Sequence, residues 1–129
     1  MATGFAPAVA NAILNALCRG VAWTPPTAVW IKLHVGDPGA SGTANPAVET
    51  DRVQATFATP AANGAISNTA ALTWTDVAAA EDFTHFSAWD ANAAGNFQFS
   101  GTISANAVMT GDDFTIPVAD LDVGLAVAT

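Results

Sequence analysis

The residues of this sequence that could do chemistry are two histidines, one cysteine and a few paired carboxylates. Histidine is the commonest general base, but His34 and His85 each lie inside a predicted strand, and neither belongs to a nucleophile or metal-binding motif. We therefore expect both histidines to be sheet residues that are half buried or face solvent. Cys18 has no neighbouring base in the sequence to activate it, so we expect it to be a small residue beside the apolar stripe of a helix. No catalytic residue is predicted.

Acidic residues lie close together in three places, and such groups bind Ca²⁺ when loops bring several oxygens together. The pairs are Asp112 with Asp113, Asp120 with Asp122, and Glu49 with Asp51. The EF-hand pattern is absent, and pairs of this kind are common in turns that hold no metal. Residues 36–39 (GDPG) do not form a phosphate loop, because the lysine that completes that motif is missing. We predict no metal site and no cofactor.

The charge balance excludes several classes of partner. The 129-residue chain has a net charge of −8 with three basic residues, so neither nucleic acid nor an anionic membrane is an expected partner. No apolar run approaches the roughly 18 residues of a membrane span, and the N-terminus lacks the features of a signal peptide. Only 11% of residues are charged and 51% are apolar, which predicts a homo-oligomer, most simply a trimer.

One amphipathic helix is predicted over residues 3–20. Its apolar residues recur at i, i+3, i+4 and i+7 spacing and form a single stripe: Phe5, Ala8, Val9, Ala12, Ile13, Ala16 and Leu17. Thr3 is the expected N-cap, Pro7 fits the first turn, and Gly20 is the expected stop. The stripe either covers one end of the chain's own sandwich or docks on a neighbouring subunit.

Alternating hydrophobicity after Pro26 predicts that residues 27–129 form a β-sandwich, within one domain that spans residues 1–129. The predicted strands cover residues 29–35, 52–59, 66–74, 85–90, 97–103, 113–118 and 121–127. About seven short strands with turn residues between them favour an antiparallel sandwich or barrel. The expected core is Val29, Ile31, Leu33, Val53, Phe57, Leu72, Trp74, Phe86, Trp89, Phe97, Phe99, Ile103, Phe114, Ile116, Leu121, Val123 and Leu125.

A loop after the first strand carries a specific resemblance. Residues 33–46 read LHVGDPGASGTANP, which resembles the LHxGDPGxxGTANP signature of small virion proteins in tailed bacteriophages and prophages of actinobacteria. Similar matches occur at residues 65–69 with Trp74, at residues 84–90, and at residues 111–112. The resemblance implies a non-enzymatic virion component, labelled minor capsid, minor tail or tail fibre protein in different members. Within the loop, Asp37-Pro38-Gly39 should form a turn and Asn45-Pro46 an extended exit.

The leading hypothesis is a minor capsid or decoration protein that binds the major capsid protein on the outside of the head shell and stabilises it. A compact acidic domain suits that place, and no shaft or coiled coil typical of a tail fibre is visible. The alternative is a minor tail or tail-fibre protein in host-surface adhesion, with Trp23 or Trp30 stacking on a sugar ring. A third hypothesis is a small hydrolase of cell-wall material, which would need paired carboxylates across a cleft. The candidate interface residues are Phe5, Val9, Ile13, Leu17, Trp23 and Trp30.

Overall fold

The computed structural model describes residues 3–129, so residues 1 and 2 of the predicted domain lie outside the described residues. Within that range the chain forms one helix and eight strands. The helix is α1 (Pro7–Arg19) and the strands are β1 (Val29–His34), β2 (Val53–Ala55), β3 (Ala65–Ser67), β4 (Leu72–Trp74), β5 (Glu81–Trp89), β6 (Phe97–Val108), β7 (Phe114–Ile116) and β8 (Asp122–Gly124).

The strands form one four-stranded sheet and two small ladders, all antiparallel. The larger sheet has the order β2-β1-β5-β6, and the two ladders pair β3 with β8 and β4 with β7. The predicted mainly β, antiparallel fold with one N-terminal helix is confirmed. The strands described between residues 3 and 129 do not close into a barrel.

The core lies between the four-stranded sheet and the β4–β7 ladder. Phe83 on β5 meets Phe114 on β7 edge to face, with ring centroids 5.0 Å apart, and Trp74 packs on the same phenylalanine at 5.9 Å. Glycine at position 101 is needed on β6, because a Cβ there would lie 2.6 Å from the ring of Phe86. The buried cluster is Ile31, Leu33, Ala47, Ala55, Leu72, Trp74, Val77, Phe83, Phe86, Ala88, Val108, Phe114, Ile116 and Leu121.

Most predicted core residues are buried or half buried, with two corrections. Leu125 is 55% exposed, because β8 ends at Gly124 and the chain beyond it leaves the core. Trp89 is buried, but it lies on the opposite face of the sheet from the main cluster, beside Ser87. Phe83 was missed because β5 begins at Glu81, four residues before the predicted strand.

The predicted strand over residues 66–74 is wrong, because it is two strands in different ladders. Asn68 lies between β3 and β4 and is 1% exposed. Its side-chain amide donates to the carbonyls of Ala70 and Pro117, both at 2.9 Å, and its Oδ1 accepts from the N–H of Leu121 at 2.9 Å. A buried asparagine that satisfies three backbone groups replaces the ladder at this point and turns the chain from one ladder to the next.

The remaining strand bounds differ from the predictions in length. The second, sixth and seventh predicted strands shorten to β2, β7 and β8, each three residues long. In contrast, β6 continues five residues beyond the predicted end and pairs with the early part of β5 after an irregularity in register.

Helix α1 begins later than predicted. Its N-cap position is Ala6, which makes no side-chain cap, so the predicted N-cap at Thr3 is wrong. The chain before the helix instead pairs with β6: the N–H of Ser100 donates to Gly4 O and the N–H of Ala6 donates to Gln98 O, both at 2.8 Å. Pro7 occupies the first turn and a left-handed Gly20 (φ 64°) ends the helix, as predicted. No described helix has the length and apolarity to cross a membrane.

Candidate functional site

A buried hydrogen-bond chain occupies the face of the sheet opposite the main core. His34 on β1 is fully buried, so the prediction that it is half buried or solvent-facing is wrong. Its Nδ1 lies 2.8 Å from the carbonyl oxygen of Ala44, and its Nε2 lies 2.7 Å from Oγ of Ser87. Ser87 Oγ in turn accepts a hydrogen bond from Nε1–H of Trp89 at 2.7 Å. His85 is half buried beside Thr84, as predicted for a sheet residue.

These partners fix the protonation of His34. A carbonyl oxygen only accepts hydrogen bonds, so Nδ1 of His34 carries the proton and Nε2 accepts from the Ser87 hydroxyl. Burial lowers the pKa of His34, opposed by the hydrogen bond to Ala44, so the ring is neutral. A serine bonded to a histidine is the geometry of an activated nucleophile, but both side chains are fully buried, which keeps any substrate away from Ser87.

The loop of residues 36–46 covers this hydrogen-bond chain. Asp37 Oδ1 accepts from the N–H of Gly39 (φ 73°) at 2.8 Å, which confirms the predicted turn. Asn45 is left-handed (φ 49°), so the predicted extended exit is wrong at that residue, and its amide donates to Asp37 O at 2.9 Å. The two ends of the loop are therefore tied together across its base.

Close packing on Phe97 holds the tip of this loop. Gly42 is buried in a left-handed conformation (φ 75°), and a Cβ there would lie 2.5 Å from the Phe97 ring. Phe97 in turn packs on Trp89, with ring centroids 5.6 Å apart. The loop is a fixed part of the fold, anchored at one point by His34 and at another by an aromatic ring.

The turn between β5 and β6 is a second rigid element. Asp90 Oδ1 accepts from the N–H of Asn96 at 2.7 Å, and Oδ2 accepts from the Asn96 side-chain amide at 2.9 Å. These two bonds, the backbone one first, lower the pKa of the Asp90 carboxyl. Behind the turn, Nη1 of Arg52 donates to the carbonyls of Ala91 and Ala94, both at 2.8 Å. The turn is held from both sides.

Carboxylates elsewhere also accept backbone hydrogen bonds. Glu49 is 5% exposed and accepts from the N–H groups of Asp51 and Ala78, at 3.0 and 3.1 Å. Asp112 and Asp113 each accept from a backbone N–H in the same way. No cluster of three or more His, Cys, Asp or Glu side chains that could hold a metal ion occurs among the residues described. The acidic residues in these turns have a structural role.

Comparison with known families identifies the chain. A family model described as the podophage GP4 fiber I protein gp80 matches residues 4–124 of the 129. The chain belongs to this family. It is therefore a phage structural protein, as the sequence resemblance implied. A search of curated proteins found no match.

The six candidate interface residues lie in two different environments. Phe5, Val9 and Ile13 are half buried, and Phe5 packs edge to face on Phe99 of β6 with ring centroids 6.1 Å apart. Trp30 is half buried on β1, opposite Trp89. The first half of the helical stripe thus packs on the chain's own sheet.

The other two candidates are exposed at the far end of the helix. Leu17 is 79% exposed, next to Leu14 at 57%, and Trp23 in the connector to β1 is 39% exposed. Cys18 is exposed there as well. Sequence reasoning missed Leu14, although its position one turn from Leu17 and Cys18 was a usable signal. It also missed Asp90, Asn96 and Gln98, because only the folded turn brings them near Trp23.

Proposed function

We propose that this protein is a structural component of a phage tail fibre that takes part in attachment to the host surface. The family match over residues 4–124 carries the proposal, because that family is described as a fibre protein. The match favours the tail-fibre alternative over the head-shell decoration protein, which was the leading hypothesis from the sequence. The partners are then other fibre or tail proteins rather than the major capsid protein.

A non-enzymatic role fits the arrangement of the polar residues. The Ser87–His34 pair is sealed from solvent, and Glu49 is buried and accepts hydrogen bonds from two backbone N–H groups. A residue that binds or attacks a substrate needs access and free hydrogen-bonding capacity. These residues instead stabilise turns and loops.

Homo-oligomerisation, most simply a trimer, is the assembly we propose for this protein. The exposed apolar side chains at the end of α1 and just beyond it (Leu14, Leu17 and Val21) support it, because a helix with no buried residue gains stability when such a face is covered. Sedimentation equilibrium of the purified chain should give a multiple of the 13.0 kDa monomer. Leu17→Lys should shift the equilibrium to monomer, whereas Leu125→Lys, at a similarly exposed leucine, should not.

Mass spectrometry of separated heads and tails from disrupted virions tests the proposed location. We expect peptides of this chain in the tail fraction and none above background in the head fraction. Recovery only with heads would overturn the fibre proposal and favour the decoration-protein hypothesis. Adsorption of phage to host cells should also fall when the cells are first incubated with the purified protein.

A further inference from the structure

A groove separates the connector that follows α1 from the β5–β6 turn. Its volume is about 280 Å³. One wall carries Val9, Trp23 and Pro26, and the opposite wall carries Asp90, Asn96 and Gln98. The volume lies just below the range of ligand pockets, which is roughly 300–1,000 Å³, so it suits one small ring-shaped group.

The apolar wall presents an indole ring. Trp23 is 39% exposed, whereas Trp74 and Trp89 are 2% and 8% exposed. Pro25 and Pro26 follow Trp23 after Thr24, and proline restricts both its own backbone and that of the residue before it, here Thr24. An exposed aromatic face beside a stiff segment is suited to stacking against the C–H face of a flat ligand.

The polar wall is already ordered and still has hydrogen-bonding capacity. The two oxygens of Asp90 each accept one bond from Asn96, and a carboxylate oxygen can accept two, so each keeps one acceptor site. Gln98 is 8% exposed, and its Nε2 donates to Asn96 O at 3.0 Å. A buried amide and a carboxylate beside an aromatic ring match a ligand that carries several hydroxyl groups.

The groove does not need to rearrange before it binds. Arg52 holds the turn through two carbonyls, and its guanidinium lies 4.5 Å from the ring of Trp89. Gly95 (φ 77°) closes the turn where a Cβ would lie 2.4 Å from Asp90 Oδ1. Rigid walls reduce the entropy lost on binding, which matters most for weak, repeated contacts.

We propose that this groove binds one uncharged sugar unit of a glycan, with the ring stacked on Trp23 and hydroxyls donating to Asp90. The sugar is uncharged because Asp90 is the one ionisable residue among those lining the groove, and its negative charge repels acidic sugars. This inference names the ligand class for the attachment role proposed above and rests on that proposal for its biological setting.

Indole N–H signals in a proton–nitrogen NMR spectrum of the full chain test the proposal. The four tryptophans give four such signals. Methyl glucoside, methyl galactoside and N-acetylglucosamine are added in turn, each to about 50 mM, well above a weak dissociation constant of about 1 mM. At least one sugar should shift the Trp23 signal saturably while Trp74 and Trp89 stay in place. N-acetylneuraminic acid, which is anionic, should shift nothing.

Variants separate the groove from the rest of the surface. Trp23→Ala should weaken binding at least tenfold, read from the backbone signal of Asn96, and Trp23→Phe should retain part of it. Leu14→Ala, at an exposed apolar site on the helix, should leave binding unchanged. Unshifted indole signals of Trp74 and Trp89 would show that each variant is folded.

Two results would overturn the proposal that the groove binds a sugar. Either no sugar shifts the Trp23 signal, or Trp23→Ala binds sugar as well as the wild type does. Because the assay uses the isolated chain, its result does not depend on where the protein lies in the virion. Failure here with peptides found in the tail fraction leaves the fibre proposal standing. If the protein binds sugar but is found only with heads, the groove proposal stands and the fibre proposal is overturned.

Discussion

Replacing His34 with glutamine should remove one specific part of the pH dependence of stability. In the wild type, the buried ring resists protonation, because burial and, more weakly, the nearby charge of Lys32 lower the pKa of His34, against the raising effect of the Ala44 hydrogen bond. In the unfolded chain the same histidine takes up a proton at an ordinary pKa of about 6.5. The unfolded state therefore binds more protons than the folded state once the pH falls below 6.5.

The size of the effect follows from proton linkage. A difference of one bound proton changes the free energy of unfolding by about 1.4 kcal/mol per pH unit. Wild-type stability from His34 is fully present above pH 6.5 and falls as the pH drops from 6.5 toward the lowered folded pKa. The Asp90 carboxyl, whose pKa is also lowered, acts only near and below its ordinary value of 3.8. Between about pH 6.5 and the lowered folded pKa of His34, the slope should reach up to roughly 1.4 kcal/mol per pH unit.

Urea unfolding followed by tryptophan fluorescence at several pH values measures this slope. His34→Gln should be less stable than the wild type at about pH 7.5 by roughly 1–3 kcal/mol, because Ala44 or Ser87 loses a buried partner. Its stability should then change less with pH than that of the wild type. Identical slopes in His34→Gln and the wild type would refute the buried, neutral assignment of His34.

Five further substitutions test the packing by the same unfolding measurement. Asn68→Ala should lower the free energy of unfolding by roughly 3 kcal/mol, because three backbone groups each lose a hydrogen bond of about 1 kcal/mol; a loss under 1 kcal/mol would contradict this. Gly42→Ala should destabilise by roughly 2–4 kcal/mol and Gly39→Ala by only about 1 kcal/mol, because both are left-handed but only the first meets an aromatic ring; equal losses would remove the argument for that contact. Phe83→Ala should cost roughly 3–5 kcal/mol and Leu125→Ala under about 1 kcal/mol; similar losses would contradict the observed burial.

Local pattern predicted the elements that local forces decide. The i, i+3, i+4 spacing located the helix, and Gly20 marked its end, because both signals act within one turn of chain. Alternation located β1 in the same way. The start of the helix was misplaced because residues 4–6 pair with β6, nearly a hundred positions away, and that pairing outweighs a local cap at Thr3.

Long-range contacts decided what the pattern could not. Asn68 looks like any polar residue in an alternating segment, and its hydrogen-bond partners at Pro117 and Leu121 lie 49 and 53 positions away. His34 shows the same limit, since alternation placed it on the outer face but could not show that the following loop folds back over it. In the candidate groove, Trp23 was identified from residue type, whereas Asp90 and Asn96 required the conformation of the turn.

Electron microscopy of intact virions with a gold-labelled antibody against this chain tests the central claim most directly. The account predicts gold on the fibres of the tail, in agreement with the family to which residues 4–124 belong. The antibody should also detect the purified protein, which controls for recognition of the folded chain. Gold spread over the head shell with unlabelled fibres would contradict the account.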